Sequence, residues 1–143
     1  MVSPLLANIY LHYVFDQWVT SWRKRRASGD IIVVRYADDI VMGFEHRADA
    51  ERFLEEWKDR LLKFGLTLHP DKTRLIEFGR DAAENRSKRG ETKPEVFDFL
   101  GFTHSGAKTR KGRFTVLRQT VRTRWQATLR AVKTELQRRL HAP

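Results

Sequence analysis

The chain has 143 residues, and 41% of them are hydrophobic, which suffices for one domain of ordinary size or for part of a larger protein. Lys and Arg number 28 against 18 Asp and Glu, so the net charge is +10 and a polyanion is the expected partner, nucleic acid before a membrane surface. No apolar run approaches the roughly 20 residues of a membrane span, and the N-terminus lacks the pattern of a signal peptide. Cysteine is absent, which excludes disulfides and thiolate metal sites and fits a reducing cytoplasm.

The positive charge is concentrated at the C-terminal end. Residues 1–78 hold 12 basic and 12 acidic side chains, and residues 79–98 hold 5 of each. Residues 99–143 hold 11 basic side chains and a single acid, Glu135. The sequence therefore predicts a neutral body followed by a basic end.

The first predicted elements are a helix and a hairpin. Ser3 and Pro4 are typical of a helix start, with a hydroxyl cap followed by proline, and a basic cluster at 23–26 closes the helix. Its apolar stripe consists of Leu11, Val14, Phe15, Trp18, Val19 and Trp22. Two β-rich runs, 31–34 and 40–44, predict a hairpin whose strands are covered on both faces.

A second helix is predicted from about Asp49 to Phe64, with Gly65 as its C-terminal cap. Short strands are expected at 66–68 and 72–78.

The charged segment 79–95 is predicted to be a surface loop or an insertion. An aromatic strand at 97–102, a basic loop at 103–111 and a strand at 113–117 follow. The last segment carries a narrow apolar stripe flanked by Arg and Lys, which predicts a surface helix or the first element of another domain. That stripe consists of Val121, Trp125, Leu129, Val132, Leu136 and Leu140.

Asp38 and Asp39 are predicted to lie at or beside the hairpin turn. In an arbitrary hairpin, such a pair most often simply faces solvent. Here the strands read as buried, and the turn lacks the usual Asn-Gly or Asp-Gly chemistry. Burying ionised carboxylates is costly unless a cation compensates them, and Mg²⁺ is often held by one or two carboxylates plus substrate phosphates. The pair is therefore a candidate metal site.

Four segments resemble motifs of one family in order and spacing. Val34–Val41, which contains Tyr-Ala-Asp-Asp, resembles the catalytic motif of reverse transcriptases, in particular of the bacterial group II intron type. Ser3–Leu11 resembles the second half of a block that normally begins with Gln-Gly, and Gly65–Thr73 resembles the following motif with its Lys-Thr. Phe99–Phe102 resembles the primer-grip block. Four ordered motifs are a strong signal, whereas a lone Tyr-x-Asp-Asp is a weak one.

The resemblance implies an α+β fold, with a polymerase palm at 1–102 and a basic connection at 103–143. The palm would be an antiparallel sheet backed by two helices, and the C-terminal basic helix would begin the thumb or maturase region. The implied reaction is RNA-directed DNA synthesis, in which the primer 3′-hydroxyl attacks the α-phosphate of a dNTP with two Mg²⁺ ions, for which Mn²⁺ could substitute.

The same resemblance implies roles for individual residues. Asp38 and Asp39 would be catalytic metal ligands, and Lys72 would be a proton donor to pyrophosphate, although a solvated strand-edge lysine explains it equally well. The expected template and nucleotide contacts are Ser3, Pro4, Asn8, Tyr36 and Ala37. The expected primer grip is Phe99, Leu100 and Gly101. The expected nucleic-acid backbone contacts are Lys108, Arg110, Lys111, Arg113, Arg118, Arg122 and Arg124.

The chain also departs from the family pattern. The Gln-Gly, the fingers and the palm strand that supplies a third carboxylate are missing, so they are expected in an N-terminal segment of a parent protein. The isolated chain is accordingly expected to lack polymerase activity. Its expected partners are an RNA template, a DNA primer, a dNTP and intron RNA, in the bacterial cytoplasm and without a membrane.

Three alternatives remain open. The chain could be a non-catalytic, maturase-like RNA-binding module that assists splicing. It could belong to the retron, diversity-generating or CRISPR-associated relatives, or be a basic DNA-binding protein with a coincidental Asp-Asp turn. The basic end is expected to bind RNA in a salt-dependent way, whereas the cluster at 23–26 is interpreted as a partner of the helix dipole.

Overall fold

The computed structural model describes residues 3–91 and 93–140 and confirms the α+β class. Two compact units, Met1–Leu75 and Ile76–Pro143, divide the chain. Within the described residues, the first holds a long helix, a two-stranded hairpin and a second helix. The second holds a short helix, three strands and a C-terminal helix. The predicted subdomain boundary between residues 102 and 103 stays a prediction.

Helix α1 is continuous and has three parts: α-helical Pro4–Leu11, π-helical His12–Asp16 and α-helical Gln17–Arg26. It starts at the predicted position, with Pro4 in the first turn, but the Ser3 side chain makes no capping hydrogen bond. The wider π turn leaves backbone carbonyls in need of donors. Arg60 supplies them, because its Nε donates to the Val14 carbonyl at 2.7 Å and its Nη2 to the Tyr13 carbonyl at 3.4 Å.

Strands β1 (Ile31–Tyr36) and β2 (Asp39–Phe44) form the predicted antiparallel hairpin. Residues with odd numbers on β1 face the core, and Ile31 is buried. The other face is open, because Ile32 is 69% exposed and Val34 is 46% exposed. The prediction that both faces are covered is therefore wrong for the described residues. The apolar run indicates a β-strand, but it does not show whether another element packs on each face of that strand.

Helix α2 spans Arg47–Lys63 and lays its apolar face on α1 and the hairpin. Aromatic rings dominate this core: Phe15 meets Trp57 edge to face at 4.8 Å, and Trp22 meets Phe53 in the same way at 5.1 Å. The buried core residues are Val14, Phe15, Val19, Trp22, Ile31, Phe53, Trp57 and Leu61. Gly65 caps the helix with φ +68°, as predicted.

The strands predicted at 66–68 and 72–78 are absent, since both segments are irregular. Their side chains alternate, but no described strand pairs with them. The backbone N–H of Glu77 donates instead to the Glu95 carboxylate at 2.9 Å. A strand needs a neighbour to receive its ladder hydrogen bonds, and the sequence pattern alone does not supply one.

In the second unit, β3 (Phe97–Phe99), β4 (Phe102–Lys108) and β5 (Phe114–Thr120) form an antiparallel sheet in that order. Two predictions are wrong here. The aromatic strand 97–102 is interrupted by a turn at Leu100 and Gly101, and most of the predicted loop 103–111 is the central strand β4.

Segment 79–95 is not all loop, because helix α3 occupies Ala82–Lys88. The helix is polar and is held by ion pairs. Lys88 binds Glu84 at 2.8 Å, and Arg86 bridges Glu91 at 2.8 Å and Glu95 at 3.3 Å.

Helix α4 spans Arg122–Leu140 and is the predicted basic surface helix. Its stripe is exposed, with Trp125 at 56% and Leu136 at 56%. Across the described residues, no helix has the length and apolar character to cross a membrane.

Candidate active site

The hairpin turn places the two acidic residues side by side. Tyr36 pairs with Asp39, so the loop between the strands consists of Ala37 and Asp38 alone. Ala37 has φ +54°, a left-handed conformation that is usual for glycine and costly for alanine. Contacts with the surrounding residues must therefore stabilise the backbone conformation of Ala37.

Both carboxylates are exposed, and within 3–91 and 93–140 neither forms a side-chain hydrogen bond or ion pair. Because directly opposite residues share a face, Asp39 lies on the same open face of the hairpin as Tyr36, which is 64% exposed. Four carboxylate oxygens at the tip of the hairpin are therefore free to bind a cation.

These oxygens fit part of the ligand set of a hard divalent cation such as Mg²⁺. In the described part of the chain, no group of three or more His, Asp or Glu side chains could hold a metal ion. Further ligands at this turn would be backbone carbonyls, water, phosphate oxygens or groups outside the described residues.

Arg35 links the turn to helix α1. Its Nη1 donates to the Asn8 side-chain oxygen and to the Ala37 carbonyl, each at 2.9 Å. Its Nε and Nη2 donate to the two carboxylate oxygens of Asp16 at 2.9 and 2.7 Å. The structure therefore brings together two residues predicted to contact template and nucleotide, Asn8 and Ala37.

The ion pair is reflected in both ionisation equilibria. The hydrogen bonds from Arg35 lower the pKa of Asp16, against the opposing effect of burial. The same contact raises the pKa of Arg35. The pair is ionised across the ordinary pH range.

Ser3 and Pro4 lie at the start of α1, one turn from Asn8. The Asn8 side-chain N–H donates to the Pro4 carbonyl at 3.1 Å, and the Ala7 N–H donates to the Ser3 carbonyl at 3.1 Å. Lys72 lies in the turn after His69, whose carbonyl accepts its backbone N–H at 3.2 Å. Among the described residues, no hydrogen bond or ion pair joins Lys72 to Asp38 or Asp39.

The predicted primer-grip residues lie in the second unit. Phe99 ends β3, and Leu100 and Gly101 form a two-residue turn with φ +51° and +82°. The Gly101 carbonyl accepts from the Val121 N–H at 3.1 Å, and a Cβ at Gly101 would collide with the Arg124 guanidinium. This turn and the start of α4 are therefore in direct contact.

The predicted backbone-binding cations also lie in the second unit, and all are exposed. They follow the β4–β5 hairpin and the first turn of α4: Lys108, Arg110, Lys111, Arg113, Arg118, Arg122 and Arg124. The first turn of α4 contains no acid. Cations there oppose the helix dipole, so an anion bound nearby would be stabilising.

Sequence reasoning missed roles for Arg35 and Asp16. A signal was present at Arg35 alone, because this charge directly follows the apolar run 31–34 and has the parity of the core-facing residues of β1. A charged side chain in a buried pattern is typical of a paired charge. Asp16 gave no such signal, because it lies outside the apolar stripe of the helix.

One comparison with known proteins is positive. A family model described as reverse transcriptase (RNA-dependent DNA polymerase) matches residues 1–104. No curated protein and no solved structure matches the chain.

Proposed function

Because the chain belongs to the reverse transcriptase (RNA-dependent DNA polymerase) family, we propose that its hairpin turn binds the divalent metal of template-directed DNA synthesis. The observation that carries this proposal is the pair of exposed, unpartnered carboxylates at a two-residue turn. Mg²⁺, or Mn²⁺ in its place, would be held by Asp38 and Asp39. When bound there, it supplies charge stabilisation for the entering and leaving oxygens of nucleotidyl transfer.

The remaining roles follow from the family motifs. Asn8, with Ser3 and Pro4, would contact the template or incoming nucleotide, and Lys72 would donate a proton to pyrophosphate. Phe99 to Gly101 would support the primer. The segments Thr67–Thr73 and Phe99–Phe102 favour the group II intron type, with RNA as template and a maturase region at the C-terminal end.

A metal-binding measurement on the whole chain tests the proposal. Mn²⁺ broadens the NMR signals of residues close to it, so titration is expected to broaden Asp38 and Asp39 first. The variants Asp38→Asn and Asp39→Asn are expected to abolish that effect. Asp59→Asn removes an exposed acid from α2 and is the matched control. Broadening spread evenly over acidic residues, or unchanged in Asp38→Asn, would contradict the proposal.

Primer extension gives a second expectation. Two carboxylates give an incomplete ligand set for two ions, so the chain alone is expected to show no extension of a primed RNA template with Mg²⁺ and dNTPs. Extension by the purified chain that is lost in Asp38→Asn would disprove the proposed incompleteness while supporting the metal site.

The second candidate function is a non-catalytic, maturase-like RNA-binding module. The exposed cations of the second unit favour it, because they lie where acids are nearly absent. Asp38→Asn separates the two functions, because it removes a proposed metal ligand and leaves the cations of the second unit in place. If wild type binds RNA but binds no metal at the turn, and Asp38→Asn behaves like wild type, the module is favoured over the polymerase.

A further inference from the structure

The guanidinium of Arg35 is held from three sides. Asp16 binds it through two parallel hydrogen bonds of 2.9 and 2.7 Å, a geometry that fixes both position and plane. The remaining nitrogen, Nη1, donates to Asn8 and to the Ala37 carbonyl. The Arg35 side chain is only 17% exposed. Its position is therefore determined by α1 rather than by solvent.

The two anchors on α1 are separated by most of the π-helical segment: Asn8 lies one helical turn before it, and Asp16 is its last residue. In a regular α-helix, residues eight positions apart point about 80° apart, and a wider π turn between them reduces that difference. Both side chains contact the same guanidinium here. Single π turns inside helices recur at functional sites, and this one ends on the carboxylate that fixes Arg35.

The third contact falls on the strained residue of the turn. Ala37 adopts φ +54°, which costs an alanine about 1–2 kcal/mol in the absence of compensation. Its carbonyl points at Arg35 and accepts a hydrogen bond of 2.9 Å. A charge-assisted bond is among the stronger hydrogen bonds and can offset such a cost.

We propose that Arg35, locked by Asp16, is a positioning residue that keeps Ala37 in its left-handed conformation and thereby orients Asp38 and Asp39. The arrangement connects α1, through one side chain, to the backbone immediately before the two acids. This positioning role goes beyond the proposed metal site, and only its benefit for metal binding rests on the proposed function.

A purely structural ion pair would behave differently. It would contribute to global stability, and its loss would not be felt selectively at residues 37–39. A purely electrostatic role would be preserved by lysine, which keeps the charge but lacks the planar fork of donors. The test therefore uses variants that separate charge, geometry and global stability.

The experiment compares wild type with Arg35→Lys, Arg35→Gln and Asp16→Asn in the whole chain. Amide chemical shifts and hydrogen exchange of residues 36–39 report the turn, and urea unfolding reports global stability. Arg23→Gln, an exposed arginine of the same helix, is the control for loss of one charge. All three variants are expected to shift the signals of Ala37, Asp38 and Asp39 while β1–β2 pairing farther from the turn persists. Arg23→Gln is expected to leave them unchanged.

Asp16→Asn is the decisive variant, because Asp16 does not touch the turn and Asn keeps its shape. Among the described residues the Asp16 carboxylate contacts, besides Arg35, the exposed His12 of the same helix at 3.4 Å, so Arg35 is the direct route from Asp16 to residues 37–39. If Arg35→Lys or Asp16→Asn folds and leaves the turn signals as in wild type, the proposal is overturned. If Arg35→Gln fails to fold, these two variants still decide the question.

Mn²⁺ titration separates this inference from the proposed function. If the turn binds Mn²⁺, removal of a positioning partner is expected to weaken the affinity about tenfold. If wild type does not bind Mn²⁺ at Asp38 and Asp39 but the variants still disturb the turn, the metal function fails and the positioning role stands. Equal Mn²⁺ affinity and an undisturbed turn in all variants overturn the positioning role alone.

Discussion

At the scale of single residues, Ala37 holds a backbone conformation that glycine adopts without strain. Ala37→Gly relieves about 1–2 kcal/mol of left-handed strain in the folded state. It also increases the entropy of the unfolded chain, which lowers the stability by about 0.4–1 kcal/mol. We therefore expect a gain of about 0.5–1 kcal/mol in the free energy of unfolding, measured by urea denaturation. Ala7→Gly, in the helical part of α1, is the control and is expected to lose about 0.5–1 kcal/mol. A loss at Ala37 comparable to that at Ala7 would contradict the assigned conformation.

Asp49 is the buried acid of the first unit, with 1% of its surface exposed. Its Oδ2 accepts from the Ser28 N–H at 2.7 Å, the Ser28 hydroxyl at 2.8 Å and the Gly29 N–H at 3.2 Å. These contacts, the Ser28 backbone bond foremost, lower the pKa of Asp49 below its ordinary value. The carboxylate thus ties the loop that leads into β1 to the start of α2.

The pH dependence follows from the sign of that shift. A group with a depressed folded-state pKa contributes stability above its unfolded value, and the contribution is lost as the pH falls through the folded value. We expect Asp49→Asn to lower the urea midpoint at pH 7 and to differ less from wild type at the lowest pH at which both proteins fold, because the contribution declines once the pH falls below the ordinary aspartate value of about 4. Asp59→Asn, on the exposed side of the same helix, is expected to be neutral at pH 7. An equal deficit of Asp49→Asn at both pH values would contradict the role assigned to the charge.

At the scale of elements, the joint between α1 and α2 depends on aromatic packing. Phe15 is completely buried and meets Trp57 at 4.8 Å. We expect Phe15→Ala to cost about 3–5 kcal/mol, because it removes a buried ring and leaves a cavity. Tyr13, two residues away, is 60% exposed, and Tyr13→Ala is expected to change the stability by less than about 0.5 kcal/mol. Tryptophan fluorescence during urea unfolding measures both, and equal effects would contradict the packing described.

Helix periodicity was the most informative signal in the sequence. The stripe through Trp22 and the stripe of α2 predicted two helices that the structure contains, and the β-rich runs predicted the hairpin. The central strand β4 was missed because its segment, with Ser105 and Gly106, has little β-propensity. It is a strand because it pairs on both sides, with β3 and β5. Pairing between distant segments is invisible to a local pattern.

The candidate site was predictable to a similar extent. Motif spacing placed the two acids at the hairpin turn, where the structure has them. It did not indicate the strain at Ala37 or the link from Arg35 to Asp16, because both depend on the packing of α1 against the hairpin. The π-helical segment left no mark in the spacing of the apolar stripe. Roles of these side chains in catalysis stay predictions.

At the scale of the whole molecule, the uneven charge distribution leads to a prediction about RNA binding. Replacing Lys108, Arg110, Lys111 and Arg118 by Gln removes four exposed cations from the second unit. Each lost phosphate contact lowers the slope of log affinity against log salt by about 0.7–0.9, so the slope is expected to fall by roughly three. Fluorescence anisotropy with a labelled RNA at several salt concentrations measures this.

The matched control for that experiment lies in the first unit. Replacing Arg23, Lys24, Arg25 and Arg26 by Gln changes the net charge equally but removes the cluster interpreted as dipole partners. Its salt slope is expected to stay close to that of wild type. A larger loss from this cluster than from the second unit would place the RNA contacts at the end of α1 instead.

The π-helical segment of α1 also sets how the two α-helical parts, Pro4–Leu11 and Gln17–Arg26, are rotated relative to each other about the helix axis. In a regular α-helix each residue turns the chain by about 100°, so two residues eight positions apart, as Asn8 and Asp16 are, point about 80° apart. The π-helical turn between them rotates the chain by less per residue, and both side chains reach Arg35. Substitutions that converted His12–Asp16 into regular α-helix at unchanged length would therefore rotate Asn8 away from Arg35, while the Asp16 pair and the buried Val19 and Trp22 kept their contacts. Losing one residue together with the π turn would restore the alignment, so the length of this segment and its hydrogen-bonding pattern are matched to each other.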